Sequence, residues 1–268
     1  MISLEKVGEQ YFLVDTETGT ATPKLRVSEV ISGGRAIPDS MAKHLIRGTR
    51  VHRWTEIIED AMDGSVTGWA YLAELPSHPE LYGYVLAWSR KSQELLCGEP
   101  GYDLIGKEMR LFSPTLDFAG TADRVYCKRL GLETDAMEVL LLDIKTTTQP
   151  ITKVGRSKRH AMQLGAYGAL FTARQREQIE CGRARWSNGG VGKKLPPIVT
   201  ASLTAQVVYI APTGEDKTVN YTAADMAAGY KDFQKLLEER RGDPQKEEND
   251  GVAAAEQHRD FVGDALQT

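Results

Sequence analysis

An aspartate and a lysine two residues apart, Asp143 and Lys145, close the apolar run Val139-Leu140-Leu141-Leu142. Such a run predicts a buried strand, and because side chains alternate across a strand, residues two apart share a face. A carboxylate and an ammonium are thereby delivered to one point. The pairing suits phosphodiester hydrolysis: the carboxylate holds a divalent cation, while the lysine orients or deprotonates the attacking water and offsets charge growing on the phosphate. Alone it has little weight, since an acid and a lysine two apart end many strands by chance.

Other residues of the right chemistry accompany it. Asp123 follows Gly120 in a predicted strand with a small-residue kink, twenty positions before Asp143. Carboxylates on two adjacent strands make a hard-cation site for magnesium or manganese; magnesium takes one or two protein carboxylates and leaves its other positions to water and substrate phosphate. Gln163 and Tyr167, four apart in a helical stretch over 159–174, share a helix face. Upstream, Gly48-Thr49-Arg50-Val51-His52 opens another helix, with Glu56 one turn beyond His52 on the same side. Glu56 and Glu108 are the further acids that could serve a second metal. Each residue also has a local reading. His52 could be a packed helix histidine, Gln163 and Tyr167 a helix face on a sheet, Asp123 a turn cap, and Glu56 and Glu108 solvated charges.

The order of these residues, Gly48/His52, Gly120/Asp123, Asp143/Lys145, Gln163/Tyr167, resembles the signature of the RecB-like branch of the PD-(D/E)XK nuclease superfamily. The resemblance spans most of the first 175 residues. The stretch 23–31 is also similar to the lead-in of compact phage exonucleases of that branch and of the mitochondrial genome maintenance exonuclease. It implies that Asp123 and Asp143 ligate Mg2+ or Mn2+ together with His52 and the Ile144 carbonyl. Lys145 would be the catalytic lysine, and Gln163 and Tyr167 would contact the DNA backbone and steady the lysine or the scissile strand. It further implies a restriction-endonuclease-like core. Several relatives carry an iron–sulfur cluster on four cysteines, whereas this chain has only Cys97, Cys127 and Cys181, with no close pair; no cluster is expected.

Composition agrees with an enzyme of a reducing compartment. The 268 residues can bury a sizeable core, the cysteines form no disulfide framework, and no apolar run nears the roughly 18 residues of a membrane span. A cytoplasmic location is expected, that of a host cell if the chain is phage-encoded. The net charge of −4 is unevenly spread. Between Lys145 and Lys194 lie eleven Lys or Arg and two acids, so that stretch is +9 and the remainder −13. Basic residues beside the Asp143/Lys145 strand suit a phosphate track, and Arg156, Lys158 and Arg159, just before the Gln163 helix, are expected at the cleft entrance.

The elements that must position these groups form an α/β pattern, a central mixed sheet flanked by helices, with an N-terminal helical elaboration. A hairpin and extended lead-in occupy 10–31, turning at 15–19. Helices follow over 40–63, which Gly48 could break, and 79–96, where Leu81, Val85, Leu86 and Leu95 supply an apolar stripe. Strands near 104–112, 117–127 and 138–145 carry the metal site, a helix over 159–180 covers it, and a strand at 203–211 and a helix at 222–240 complete the unit. Residues 1–242 are expected to form one nuclease domain, with the hairpin and helices in 1–100 and the catalytic core in 101–242. The Gly-rich basic segment 181–197 suggests a surface loop, and 243–268 an acidic, mobile tail.

The function these readings imply is metal-dependent DNA hydrolysis, foremost by an exonuclease in recombination, repair or replication. A structure-specific endonuclease and a catalytically silent DNA-binding subunit are the alternatives. DNA, single- or double-stranded, is the expected partner, with a recombinase or single-strand-binding protein as further candidates. The sequence does not specify an oligomeric state.

Overall fold

A computed structural model of the protein describes residues 2–242 apart from positions 8, 9, 16, 34–38, 63, 65–67, 69, 71–73, 100, 114, 132–135 and 181–198. The predicted segments 181–197 and 243–268 therefore lie outside the described residues. The strands are β1 (Ile2–Val7), β2 (Gln10–Asp15), β3 (Ala21–Arg26), β4 (Asp103–Phe112), β5 (Phe118–Arg129), β6 (Ala136–Thr146), β7 (Val199–Ile210) and β8 (Asp216–Tyr221). The helices are α1 (Val27–Ser32), α2 (Asp39–Met62), α3 (Tyr82–Cys97), α4 (Lys158–Glu180) and α5 (Ala223–Arg241).

The fold is α/β, a mixed eight-stranded sheet flanked by helices, in the order β1-β2-β3-β5-β6-β7-β8 with β4 paired to β5. β6 explains the apolar run. Val139 and Leu141 face a core closed by α1, α4 and α5, while Leu140, Leu142 and Ile144 face a second core closed by α2 and α3. A strand covered on both sides has no solvent face to keep polar, so its sequence reads as continuous hydrophobics.

Local chemistry sets several boundaries. The β2–β3 hairpin turns where Asp15 Oδ1 accepts from Glu17 N and Gly19 adopts φ +70°, a left-handed conformation that favours glycine. α5 starts at a reciprocal cap between Thr222 and Asp225. Four expectations need correction. Residues 27–31, expected to continue the extended lead-in, belong to α1, because Glu29 folds back onto the Arg26 amide and Val27 and Val30 are buried. Gly48 does not break α2, which runs unbroken from Asp39 to Met62. Leu86 is exposed, so it does not belong to the buried stripe of α3. Strands β1 and β8 extend the sheet at both ends and were not anticipated. No helix among the described residues is long and apolar enough to cross a membrane.

Candidate metal centre

The site lies where two strands part. Strand β5 pairs with β6 only from Arg124↔Leu142 onward, and with β3 only at Phe118 and Ala119. Between these contacts the edge of β5 from Gly120 to Asp123 has no strand partner, while β6 continues against β7 as far as Thr146↔Ile210. In a strand the N–H and C=O of one residue point to the same side, so the split leaves both groups of Ile144 to be satisfied by side chains. Asp123 Oδ2 accepts from Ile144 N at 2.7 Å, and His52 Nε2 donates to Ile144 O at 3.0 Å. A backbone carbonyl can only accept, so Nε2 carries a proton and Nδ1 faces the acids.

Those acids are Glu108 and Asp123. His52 Nδ1 is 3.5 Å from Glu108 Oε1 and 3.7 Å from Asp123 Oδ2, and one ligand atom from each of the three residues fits within 4.8 Å of the others. Burial opposes protonation of His52, but Asp123 and Glu108 outweigh it and raise its pKa to about 9.

Glu108 is the acid that joins the site, whereas Glu56 pairs with Arg53 at 3.3 Å and stands outside this cluster. Glu108 lies across from Asp123, between the cross-strand pairs Lys107↔Arg124 and Met109↔Ala122. Its backbone is left-handed, φ +44°, a strained state for a residue with a Cβ.

Asp143 and Lys145 sit on the α4 side of β6, as their shared face with Leu141 requires. Asp143 Oδ1 accepts from Lys145 Nζ at 2.8 Å and from Gln163 Nε2 at 3.0 Å, and Gln163 Nε2 also reaches Tyr167 Oη at 3.1 Å. Gln163 and Tyr167 thus face the strand end together. Burial pushes the Asp143 carboxyl up and Lys145 pulls it back. Burial likewise disfavours the ammonium, but Asp143 and Asp123 hold the Lys145 pKa above the ordinary lysine value.

The donor set fits a hard divalent cation. Two buried carboxylate oxygens, Glu108 Oε1 and Asp143 Oδ2, accept no hydrogen bond, although each lies near a cationic group. Carboxylate oxygens with one imidazole are a donor set of the kind that magnesium and manganese accept, whereas the Ile144 carbonyl, expected as a further ligand, accepts from His52 Nε2. Asp123, Glu108 and His52 would hold the ion, with Asp143 beside them.

Several supporting residues had no obvious signal in the sequence. Arg124 is fully buried: its Nε donates to Glu59 at 2.6 Å, Nη2 to Thr55 Oγ1 at 2.8 Å and Nη1 to the Asp123 carbonyl at 2.6 Å, and Nη1 is 3.6 Å from Glu108. Tyr126 Oη completes the Glu59 shell at 3.3 Å. His160, three residues before Gln163 on α4, contacts Tyr209 Oη at 3.0 Å; that hydroxyl also donates to Gly155 O. Of the basic residues, Arg156 is bound to Asp225 at 3.0 Å and to the Asn220 carbonyl at 2.8 Å, and Lys158 is 3.5 Å from Asp232. Arg159 is exposed. Cys97 is exposed and Cys127 buried, and Cys181 lies outside the described residues.

Neither a family model nor a curated protein sequence matches the chain. Among solved structures it is similar to one titled "Crystal structure of SSO0001", at 14% identity over 78% of this chain and 84% of the other, with a TM-score of 0.26. A likeness that low carries no conclusion about fold or activity.

Proposed function

We propose that the protein is a Mg2+- or Mn2+-dependent deoxyribonuclease, foremost an exonuclease. The observation that carries this reading is the convergence of His52, Glu108 and Asp123 with the Asp143–Lys145–Gln163 group at one strand split. When bound there, the cation polarises the scissile phosphate and activates water. Asp123 and Glu108 hold negative charge in a partly buried site where water screens it poorly. Lys145 orients or deprotonates the attacking water and offsets charge growing on the phosphate. Gln163 and Lys145 both fix Asp143 through Oδ1, and the Lys145 ammonium also lies 2.8 Å from Oδ2. Tyr167 braces Gln163 in turn.

The test is incubation with Mg2+ or Mn2+ and end-labelled linear duplex, linear single strand and closed circular DNA. Degradation of linear forms alone is expected, and cutting of circles would assign an endonuclease instead. Asp123→Asn, Asp143→Asn and Lys145→Ala should each reduce cleavage by about a hundredfold or more, the scale on which a single transition-state contact acts. The lysine variant should keep its metal and DNA affinity. Failure of the wild-type protein to cut any of these substrates would leave a silent DNA-binding subunit as the better reading.

A further inference from the structure

Three polar side chains of α4 form a row across the strand end. His160, Gln163 and Tyr167 are spaced three and four apart, so they share one helix face. Each stands over a different strand: Tyr167 on Gly120 of β5, Gln163 on Asp143 of β6 and His160 on Tyr209 of β7. Tyr209 is the register partner of Lys145 on the neighbouring strand and belongs to the core on the α4 side, so its ring leaves the sheet beside the lysine. A nitrogen base that the metal centre does not employ is thereby brought to the Asp143–Lys145 end.

Hydrogen bonds fix the tautomer of His160. The Tyr209 hydroxyl has one proton and gives it to the Gly155 carbonyl at 3.0 Å, since a carbonyl only accepts. His160 Nδ1, 3.0 Å from the same hydroxyl oxygen, is therefore the donor in their contact. In the neutral ring the lone pair then resides on Nε2, which has no hydrogen-bond partner among the described residues. The titratable and charged groups around the ring are Asp143 and Lys145 of β6, Tyr209 of β7 and Arg159 of α4. Burial, with Lys145 and Arg159, holds the His160 pKa below the ordinary histidine value against the pull of Asp143, so the ring is neutral at and above neutral pH.

An imidazole held at Nδ1 and open at Nε2 has the arrangement of a general base. We propose that His160 is the general base of hydrolysis, taking at Nε2 the proton of the attacking water; the proposal rests on the nuclease reading of the site. As the water oxygen bonds to phosphorus, the bond from phosphorus to the leaving strand oxygen breaks. The water's proton passes to Nε2, and the leaving oxygen is protonated by solvent. The imidazolium then returns its proton to solvent, so each broken bond consumes one water and nothing else. Tyr209 is the positioning residue: its hydroxyl holds Nδ1, and the Gly155 carbonyl, between β6 and α4, holds the hydroxyl.

The experiment is single-turnover cleavage of end-labelled linear DNA by the full chain at saturating Mg2+, across about pH 5 to 8, where an imidazole titrates. His160→Asn keeps a donor at the Nδ1 position, and with it the Tyr209 contact, while removing the base. It should lower the rate by about a hundredfold or more, the scale of general-base catalysis, and leave the KM for DNA near the wild-type value. The wild-type rate should fall with decreasing pH through an inflection below the ordinary histidine value, and His160→Asn should lack that inflection. Added imidazole should restore part of the rate of His160→Ala, and the more basic 4-methylimidazole should restore more, because proton transfer follows the pKa of the acceptor. Tyr209→Phe, which frees Nδ1, should give an intermediate rate. Circular dichroism checks folding, and if His160→Asn does not fold, the rescue of His160→Ala and the rate of Tyr209→Phe decide. A wild-type rate and pH profile in His160→Asn, or a rescue that ignores the basicity of the added imidazole, would overturn the inference, leave the water's proton to Lys145 and keep the nuclease reading. A wild-type protein that cuts no DNA would overturn the nuclease reading and this inference with it.

Discussion

Gly120 and Tyr167 touch so closely that no side chain fits between them: a Cβ on Gly120 would stand 2.6 Å from Tyr167 Cε1 and 3.1 Å from Val27 Cγ2. The ring of α4 lies directly on the backbone of the unpaired stretch of β5, which lets Tyr167 brace Gln163 against Asp143. Gly120→Ala should therefore cost about 1–3 kcal/mol by overpacking and displace the ring, with cleavage falling alongside. Thermal unfolding and single-turnover cleavage check it. A variant with wild-type melting temperature and rate would mean that the ring moves aside freely.

His52 gives the metal-free protein a definite pH dependence. Its folded pKa of about 9 exceeds the unfolded value near 6.5, so the folded state binds more protons between those limits. The stability this supplies is fully present below about pH 6.5 and is lost as pH rises through about 9. The melting temperature in EDTA should decline over that window, and the decline should flatten in His52→Gln. Metal affinity should run the other way, rising with pH until Nδ1 is free of its proton. An identical pH profile in wild type and variant would remove His52 from the site's electrostatics.

The buried pair Arg124–Glu59 ties α2 to β5 behind the candidate metal site, with both side chains almost wholly buried. Removing one partner strands the other charge in the core, so Arg124→Met should destabilise by about 3–5 kcal/mol in urea unfolding. The double variant Arg124→Met with Glu59→Leu should recover part of that loss, because no lone charge remains. Metal affinity should fall in both, since Arg124 also donates to the Asp123 carbonyl and lies beside Glu108. Full additivity of the two substitutions would show that the pair is not coupled.

Arg156 and Arg159 should behave differently although both belong to the basic stretch. Arg156 is tied to Asp225 and Asn220 and lies on the Tyr221 ring, 5.6 Å from its centroid. Arg156→Ala should reduce stability by up to about 1 kcal/mol and change the salt dependence of DNA binding little. Replacing the exposed Lys158 and Arg159 by alanine should lower the magnitude of the slope of log K against log salt by roughly two units, given about 0.9 per phosphate contact on duplex DNA. An unchanged slope in that pair would place the DNA path elsewhere.

Local patterns were legible in the chain itself. The apolar run ending in Asp143 announced β6, the Asp15–Gly19 turn announced the β2–β3 hairpin, and the spacing of Gln163 and Tyr167 placed both on one face of α4, because strand and helix periods act over a few neighbouring residues. The six-residue α1 escaped because so short a helix is set by burial of Val27 and Val30 and by the Glu29 cap rather than by a repeating pattern. Tertiary structure alone separated Glu108 from Glu56, since both are unremarkable acids in sequence. The β4–β5 register and a left-handed backbone carry Glu108 to His52 and Asp123, while Glu56 pairs with Arg53 and is not in the cluster. The parting of β5 from β6 was equally invisible, because it depends on how β3 and β6 share one edge of β5. That parting leaves the backbone of Ile144 for Asp123 and His52 to satisfy, and so brings His52 into one site with Ile144, 92 positions away.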